Sequence, residues 1–172
     1  MSGRHTRRNG FTLLEILVLL GLLGVVALIM VPKLPSPQRS ELSNSAHRLA
    51  SLLRSLDERA ICGKQFYRLK INLDEQRIES VRRNSAGEEL SPGDPYLQRN
   101  PLYKGIRIDS VTTERQGVVK SGAVLIDYGA GGLPEPISII IRIEGEGSGF
   151  LLQAFPSGSL VRVSEIKREG GL

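Results

Sequence analysis

Cysteine is nearly absent from this 172-residue chain: Cys62 stands alone, so no disulfide can form within the chain and the fold must rest on burial. The expected place for Cys62 is a buried position near a helix end, where a free thiol behaves as a small inert hydrophobe. Histidine is equally scarce, with His5 in the first ten residues and only His47 beyond them. Fifteen residues along one helix would hold His47 and Cys62 about 22 Å apart, which excludes a thiol–imidazole dyad. No Gly-x-Ser-x-Gly elbow and no zinc-type Cys/His spacing occurs, so the common hydrolase and metal-site readings fall away. Aromatic residues are few, with four Tyr and four Phe. The formal charge of +5 is itself misleading. Arg4, Arg7 and Arg8 precede any acid, and without those three the chain has 20 Lys and Arg against 18 Asp and Glu. The folded part is therefore near neutral, which argues against nucleic acid as a partner.

What the sequence does have is one long apolar run. No charge occurs from Ile16 to Val31, and residues 11–31 as a helix would reach about 31 Å, enough to cross a bilayer core. The arginines ahead of it predict a cytoplasmic N-terminus and an exported remainder. The run ends Leu28-Ile29-Met30-Val31-Pro32, without the small-x-small site of an ordinary secretory signal. The switch from polar to apolar falls instead between Gly10 and Phe11. A cut there leaves Phe11 as the amino terminus with Glu15 four residues on, one helical turn away on nearly the same face. Glu15 is conspicuous because charges inside a span are costly and rare. Gly21, Gly24 and Ala27 recur every three residues and offer a narrow strip for close helix approach.

Arg8-Asn9-Gly10-Phe11-Thr12-Leu13-Leu14-Glu15, followed by apolar residues and Pro32, closely resembles the class III signal of type IV pilins and type II secretion pseudopilins. The resemblance implies cleavage after Gly10 by a prepilin peptidase, which also N-methylates Phe11. It implies that Glu15 acts in filament assembly, its carboxylate facing the new ammonium of a neighbouring subunit and so fixing the stagger between copies. It also implies that Pro32 marks a helix kink.

After the run, Pro32, Pro35 and Pro37 break the helix, and Ser36 before Pro37 suits an N-cap with a first-turn proline. Leu42, Ala46, Leu49, Leu53, Leu56 and Ala60 then form an apolar stripe at steps of three and four, predicting an amphipathic helix to about Cys62, with Gly63 as C-cap. Arg39, Glu41, Arg48, Arg54 and Asp57 are expected on its solvent side. Beyond Gly63 the period becomes two. Tyr67, Leu69, Ile71 and Leu73 alternate with Phe66, Arg68, Lys70 and Asn72, and Asp74-Glu75-Gln76 reads as a turn into a partner strand from Arg77. Further strands are expected at residues 105–111, 118–128, 137–144, 150–155 and 160–165. Asn84 to Pro101 is expected as a long polar connection and the best place for specificity. The fold class is α+β, a pilin-like N-terminal transmembrane and amphipathic helix on mainly antiparallel sheet, divided as leader 1–10, span 11–31, kinked linker and helix 32–62, and β-rich domain 63–172.

Leu49 to Val81 and the segment Phe155 to Val163 further resemble the H-type minor pseudopilins of general secretion. The resemblance implies a structural component of the pseudopilus tip, not an enzyme, in a type II secretion system. Its implied partners are the other minor pseudopilins, the major pseudopilin, the prepilin peptidase/N-methyltransferase and the bacterial inner membrane, with the C-terminal domain periplasmic. The alternative is a minor pilin of a type IV pilus, acting in pilus assembly or DNA uptake. No cofactor or metal is expected. Gly129-Ala130-Gly131-Gly132 lacks the Lys and Ser/Thr of a phosphate loop and reads as a hairpin loop. Asp74, Glu75, Asp94 and Asp127 are too scattered for calcium. Phe66, Arg68 and Lys70 share a strand face near Arg82 and Arg83, the stacking and positive charge that single-stranded nucleic acid favours, but with so few aromatics the expectation is a solvated charged sheet face and no nucleic acid.

Overall fold

The computed structural model describes residues 12–30, 37–156 and 160–167. It divides into two compact units, Met1–Ser36 and Pro37–Leu172. Gly10, Phe11 and Pro32 lie outside the described residues, as does the Ser36 cap.

The first unit contains helix α1, Leu13–Met30, 18 residues long. At 1.5 Å per residue it extends about 27 Å. Among the described residues, no helix is long and apolar enough to cross a membrane.

The second unit begins with α2, Pro37–Gly63, whose buried face carries Leu42, Leu49, Leu53, Leu56 and Ala60 at the anticipated spacing. Among the described residues nine strands follow: β1 (Phe66–Asn72), β2 (Arg77–Arg83), β3 (Glu89–Leu90), β4 (Ile106–Thr113), β5 (Gly117–Val119), β6 (Ala123–Tyr128), β7 (Ile137–Ile143), β8 (Ser148–Ala154) and β9 (Val161–Lys167), with a one-turn helix α3 (Pro95–Gln98) between β3 and β4. They form a four-stranded sheet in the order β3-β2-β1-β6 and a five-stranded sheet in the order β5-β4-β7-β8-β9. Every pairing is antiparallel. Helix α2 packs on β7, β8 and β9 of the larger sheet and on β1 and β6 of the smaller, so one helix closes both. Alternation puts Tyr67, Leu69 and Ile71 of β1, Val124, Ile126 and Tyr128 of β6, and Ile137, Ile139, Ile141 and Ile143 of β7 into one core with the α2 leucines.

Several expectations are corrected. Residues 118–128 are two strands rather than one: Gly122, at φ +80°, turns the chain between them, and β5 and β6 belong to different sheets. Gly129 to Gly132 is correspondingly not a hairpin loop, since β6 and β7 do not pair; the chain crosses there from one sheet to the other. The left-handed residue that ends α2 is Lys64, at φ +47°, not Gly63. Cys62 is exposed, because two residues past buried Ala60 a side chain has turned about 200° around the helix. Asp57 is buried at 3% exposure rather than solvated; it lies four residues after Leu53 and three before Ala60, on the packed face. The 84–101 connection holds β3 and α3, with Asp94 capping the helix through Tyr96 N–H at 2.8 Å.

A register shift in β4 between Ile108 and Ser110 inserts one extra residue opposite β7, leaving Ser110 and Val111 both buried. At this bulge the Gln76 side chain bridges the sheets. Its amide nitrogen donates to the carbonyls of Leu73 and of Ile108 (3.2 Å for the latter), and its oxygen accepts from Ile108 N–H.

Candidate functional site

The N-terminal unit begins with a cap. Glu15 N–H donates to Thr12 Oγ1 at 3.3 Å and to the Thr12 carbonyl at 3.0 Å, so Thr12 is the N-cap of α1 and Glu15 its third helical residue. Thr-x-x-Glu is the spacing of a capping box, and a carboxylate in the first turn meets the positive end of the helix dipole. The Thr12–Glu15 stretch is thus a helix start, a signal present in the sequence as Thr12 three residues before Glu15 but not read there.

Along α1 every residue from Thr12 to Ala27 is exposed among the described residues. Leu13, Leu14, Leu17, Leu19, Leu20, Leu22 and Leu23 are all exposed, Leu13 at 83%, and a Cβ added at Gly21 or Gly24 would meet nothing within 4 Å. Burying a leucine side chain is worth roughly 1.5 to 3 kcal/mol. Leaving seven of them in water is correspondingly unfavourable.

On the second unit, the outer face of the smaller sheet is a closed ion-pair network. Arg68 grips Asp127 with Nε to Oδ1 at 2.6 Å and Nη2 to Oδ2 at 2.8 Å, and reaches Glu89 at 3.5 Å. Lys70 also pairs with Glu89, and Arg83 approaches Asp127 at 3.5 Å. The hydrogen bond from Arg68 holds the Asp127 carboxyl below its ordinary range, against a smaller opposing effect of burial. Lys70 does the same to Glu89. These cations already have carboxylates, so the charged face beside exposed Phe66 is the solvated sheet surface rather than a row of free phosphate ligands.

Asp57 marks a buried junction. Its Oδ1 accepts from Leu133 N–H at 2.7 Å, and Gly132, at φ +85°, packs so tightly that an added Cβ would fall 2.4 Å from the same oxygen. Beside it the Tyr128 hydroxyl is buried and finds no hydrogen-bond partner among the described residues. Burial, reinforced by the Asp57 charge, pushes its ionisation far upward. The glycines of 129–132 are therefore a structural clasp: Gly129 and Gly132 exchange backbone hydrogen bonds at 3.1 and 2.9 Å.

The 95–103 segment is fastened rather than loose. Leu97 is buried at 1% exposure, its carbonyl accepts from Ser80 Oγ, and Tyr103 N–H donates to Ser45 Oγ at 3.0 Å. Sequence reading missed Ser45 and Ser80, buried serines on apolar faces whose role depends on a distant backbone. His47 is exposed on α2, and no group of three His, Cys, Asp or Glu is placed to hold a metal among the described residues.

No protein-family profile matches the chain. In sequence it is 29% identical over 105 residues to Type II secretion system protein H of Vibrio cholerae serotype O1, covering 60% of this chain and 54% of that protein. The chain thus spans about half the length of the curated relative it matches. In structure it is similar to the minor pseudopilin EpsH of the Vibrio cholerae type 2 secretion system, with TM-scores of 0.56 and 0.58 in two structures at 18% and 16% identity, covering 72% of this chain and 96% and 93% of those. The Pseudomonas aeruginosa type IV minor pilin FimU is similar at a TM-score of 0.51 and 14% identity, covering 76% of this chain and 92% of that one. The chain has the α+β fold of pilin-like proteins, and both its sequence and its fold align with the H-type minor pseudopilins.

Proposed function

We propose that this chain is a minor pseudopilin of a type II secretion system, a structural subunit at the pseudopilus tip that supports export of folded proteins across the outer membrane. The observation that carries the reading is α1, an apolar helix whose large side chains from Leu13 to Val26 are exposed among the described residues, started by Thr12 and carrying a single acid, Glu15, in its first turn. Such a surface is stable only in lipid or against like helices. In this reading the precursor inserts in the inner membrane through residues 11–31, with its C-terminal domain periplasmic. The prepilin peptidase cuts after Gly10 and methylates Phe11. The subunit then joins the other minor pseudopilins and the major pseudopilin, with Glu15 facing the amino terminus of a neighbour. Its work is mechanical, with neither catalysis nor a cofactor.

A minor pilin of a type IV pilus is the second reading, favoured by the fold likeness to FimU. The sequence likeness to protein H and the ion-paired face of the smaller sheet weigh against DNA uptake. Deletion of the gene tests the choice. Loss of exoprotein secretion with twitching and transformation intact supports the pseudopilin; the opposite pattern supports the pilus. Mass spectrometry of the native protein finding residues 1–10 still attached would sink both.

A further inference from the structure

Where α2 meets the 95–103 segment, two adjoining cavities of 150 and 360 Å³ share Arg48 and Tyr96 in their walls and together make up one groove region. The smaller is floored by Leu52, Tyr96 and Pro101 and edged by Arg48 and Arg99. A space of about this size admits a benzene-sized group. The larger is an open polar shelf that adds His47, Ser51 and Tyr103. Among the described residues no carboxylate lines either part. The nearest acid along the chain, Asp94, is already committed, with one oxygen to Tyr96 N–H and the other to Arg59. Arg48 lies 4.4 Å over the Tyr103 ring, and among the described residues neither Arg48 nor Arg99 has a carboxylate partner. The groove therefore differs from the neutralised outer face of the smaller sheet. It has a fixed excess of positive charge, two tyrosines and an apolar hole, the residue types that dominate binding at protein interfaces.

We propose that this groove docks an acidic segment of a protein partner, one aliphatic or aromatic side chain entering the hole while flanking carboxylates meet Arg48 and Arg99. Identifying that partner as a neighbouring pilin-like subunit rests on the pseudopilin reading; the charge and shape of the groove do not. The buried fastenings of Leu97 and Tyr103 hold both walls in place before binding, which lowers the ordering cost of association.

The test places the photo-crosslinker benzoylphenylalanine at Asn44, at the end of the shelf, in the full-length chain in its own cells. Illumination is expected to give an adduct whose cross-linked peptide contains clustered Asp or Glu beside an apolar residue. Combining Arg48→Glu with Arg99→Glu should lower the adduct at least tenfold, and Lys in place of the captured acids should restore it. Arg99→Gln alone, at a side chain with no ion pair to lose, should lower it severalfold without changing protein abundance. An adduct to a segment without acids, an adduct unchanged in these variants, a nuclease-sensitive adduct or no adduct at all overturns the proposal. Sheared filaments are probed in parallel. The chain present in filaments with no adduct leaves the pseudopilin reading standing and removes the groove; an acid-dependent adduct with no chain in filaments does the reverse.

Discussion

The buried carboxylate of Asp57 accepts a 2.7 Å hydrogen bond from the backbone N–H of Leu133, tying the last turns of α2 to the crossing between the two sheets. Removing the acceptor leaves that amide buried and unpaired, a loss of about 1 to 3 kcal/mol. Asp57→Ala should therefore lower the urea midpoint clearly, and Asp57→Asn, which keeps an oxygen, by less. Gly132→Ala should match or exceed the alanine variant, because it combines a left-handed backbone with a collision on the same oxygen. Chemical denaturation followed by circular dichroism checks the order.

Tyr128→Phe should be neutral or stabilising by up to about 1 kcal/mol, since it removes a hydroxyl buried without a partner and leaves the ring in the core. The same change should flatten the alkaline limb of stability. A tyrosine whose folded pKa is raised retains its proton when the unfolded chain loses it, so stability falls as pH rises above the ordinary value of 10.0. Thermal melts between pH 8 and 11 compare the two proteins.

Acid should loosen the smaller sheet. Asp127 and Glu89 are both held below their ordinary 3.8 and 4.5, so their contribution is full above those values and is lost as pH falls through the lower folded pKa values. Both groups are partly solvated, so the effect is modest and screened by salt. Arg68→Ala should remove the Asp127 part of the difference between melts at pH 6 and pH 3 and leave the Lys70–Glu89 part, and 1 M salt should weaken both.

Glu15→Ala should leave processing and membrane insertion largely intact and reduce incorporation into filaments, read as the ratio of chain in sheared filaments to chain in membranes. Thr12→Ala removes only the cap, at a cost of about 1 kcal/mol to the start of the helix, and should have the smaller effect. Equal incorporation of the Glu15 variant and the parent would remove the assembly role.

Much of this architecture could be read from spacing. The Leu42 to Ala60 stripe gave one face of α2, and the alternation from Tyr67 gave β1, its turn and β2, because both depend on side-chain direction within a single element. Asp57 was misjudged by residue type although its spacing from Leu53 pointed inward. The split of residues 118–128 lay beyond any local pattern, since an alternating run gives no sign that its two halves pair with different neighbours.

The sequence by itself determined the apolar N-terminal helix with its acid, and the switch from a period of 3.6 to a period of 2, all consequences of residues within a few positions of one another. Only the tertiary structure decided which strands share a sheet, that Gln76 and Asp57 join elements 32 and 76 residues apart, and that Arg68 meets a carboxylate while, among the described residues, Arg48 and Arg99 do not. The reason is that a buried amide or an exposed cation is assigned its partner by chain crossings distant in sequence, and composition cannot tell a charge that has met its counterpart from one that has not.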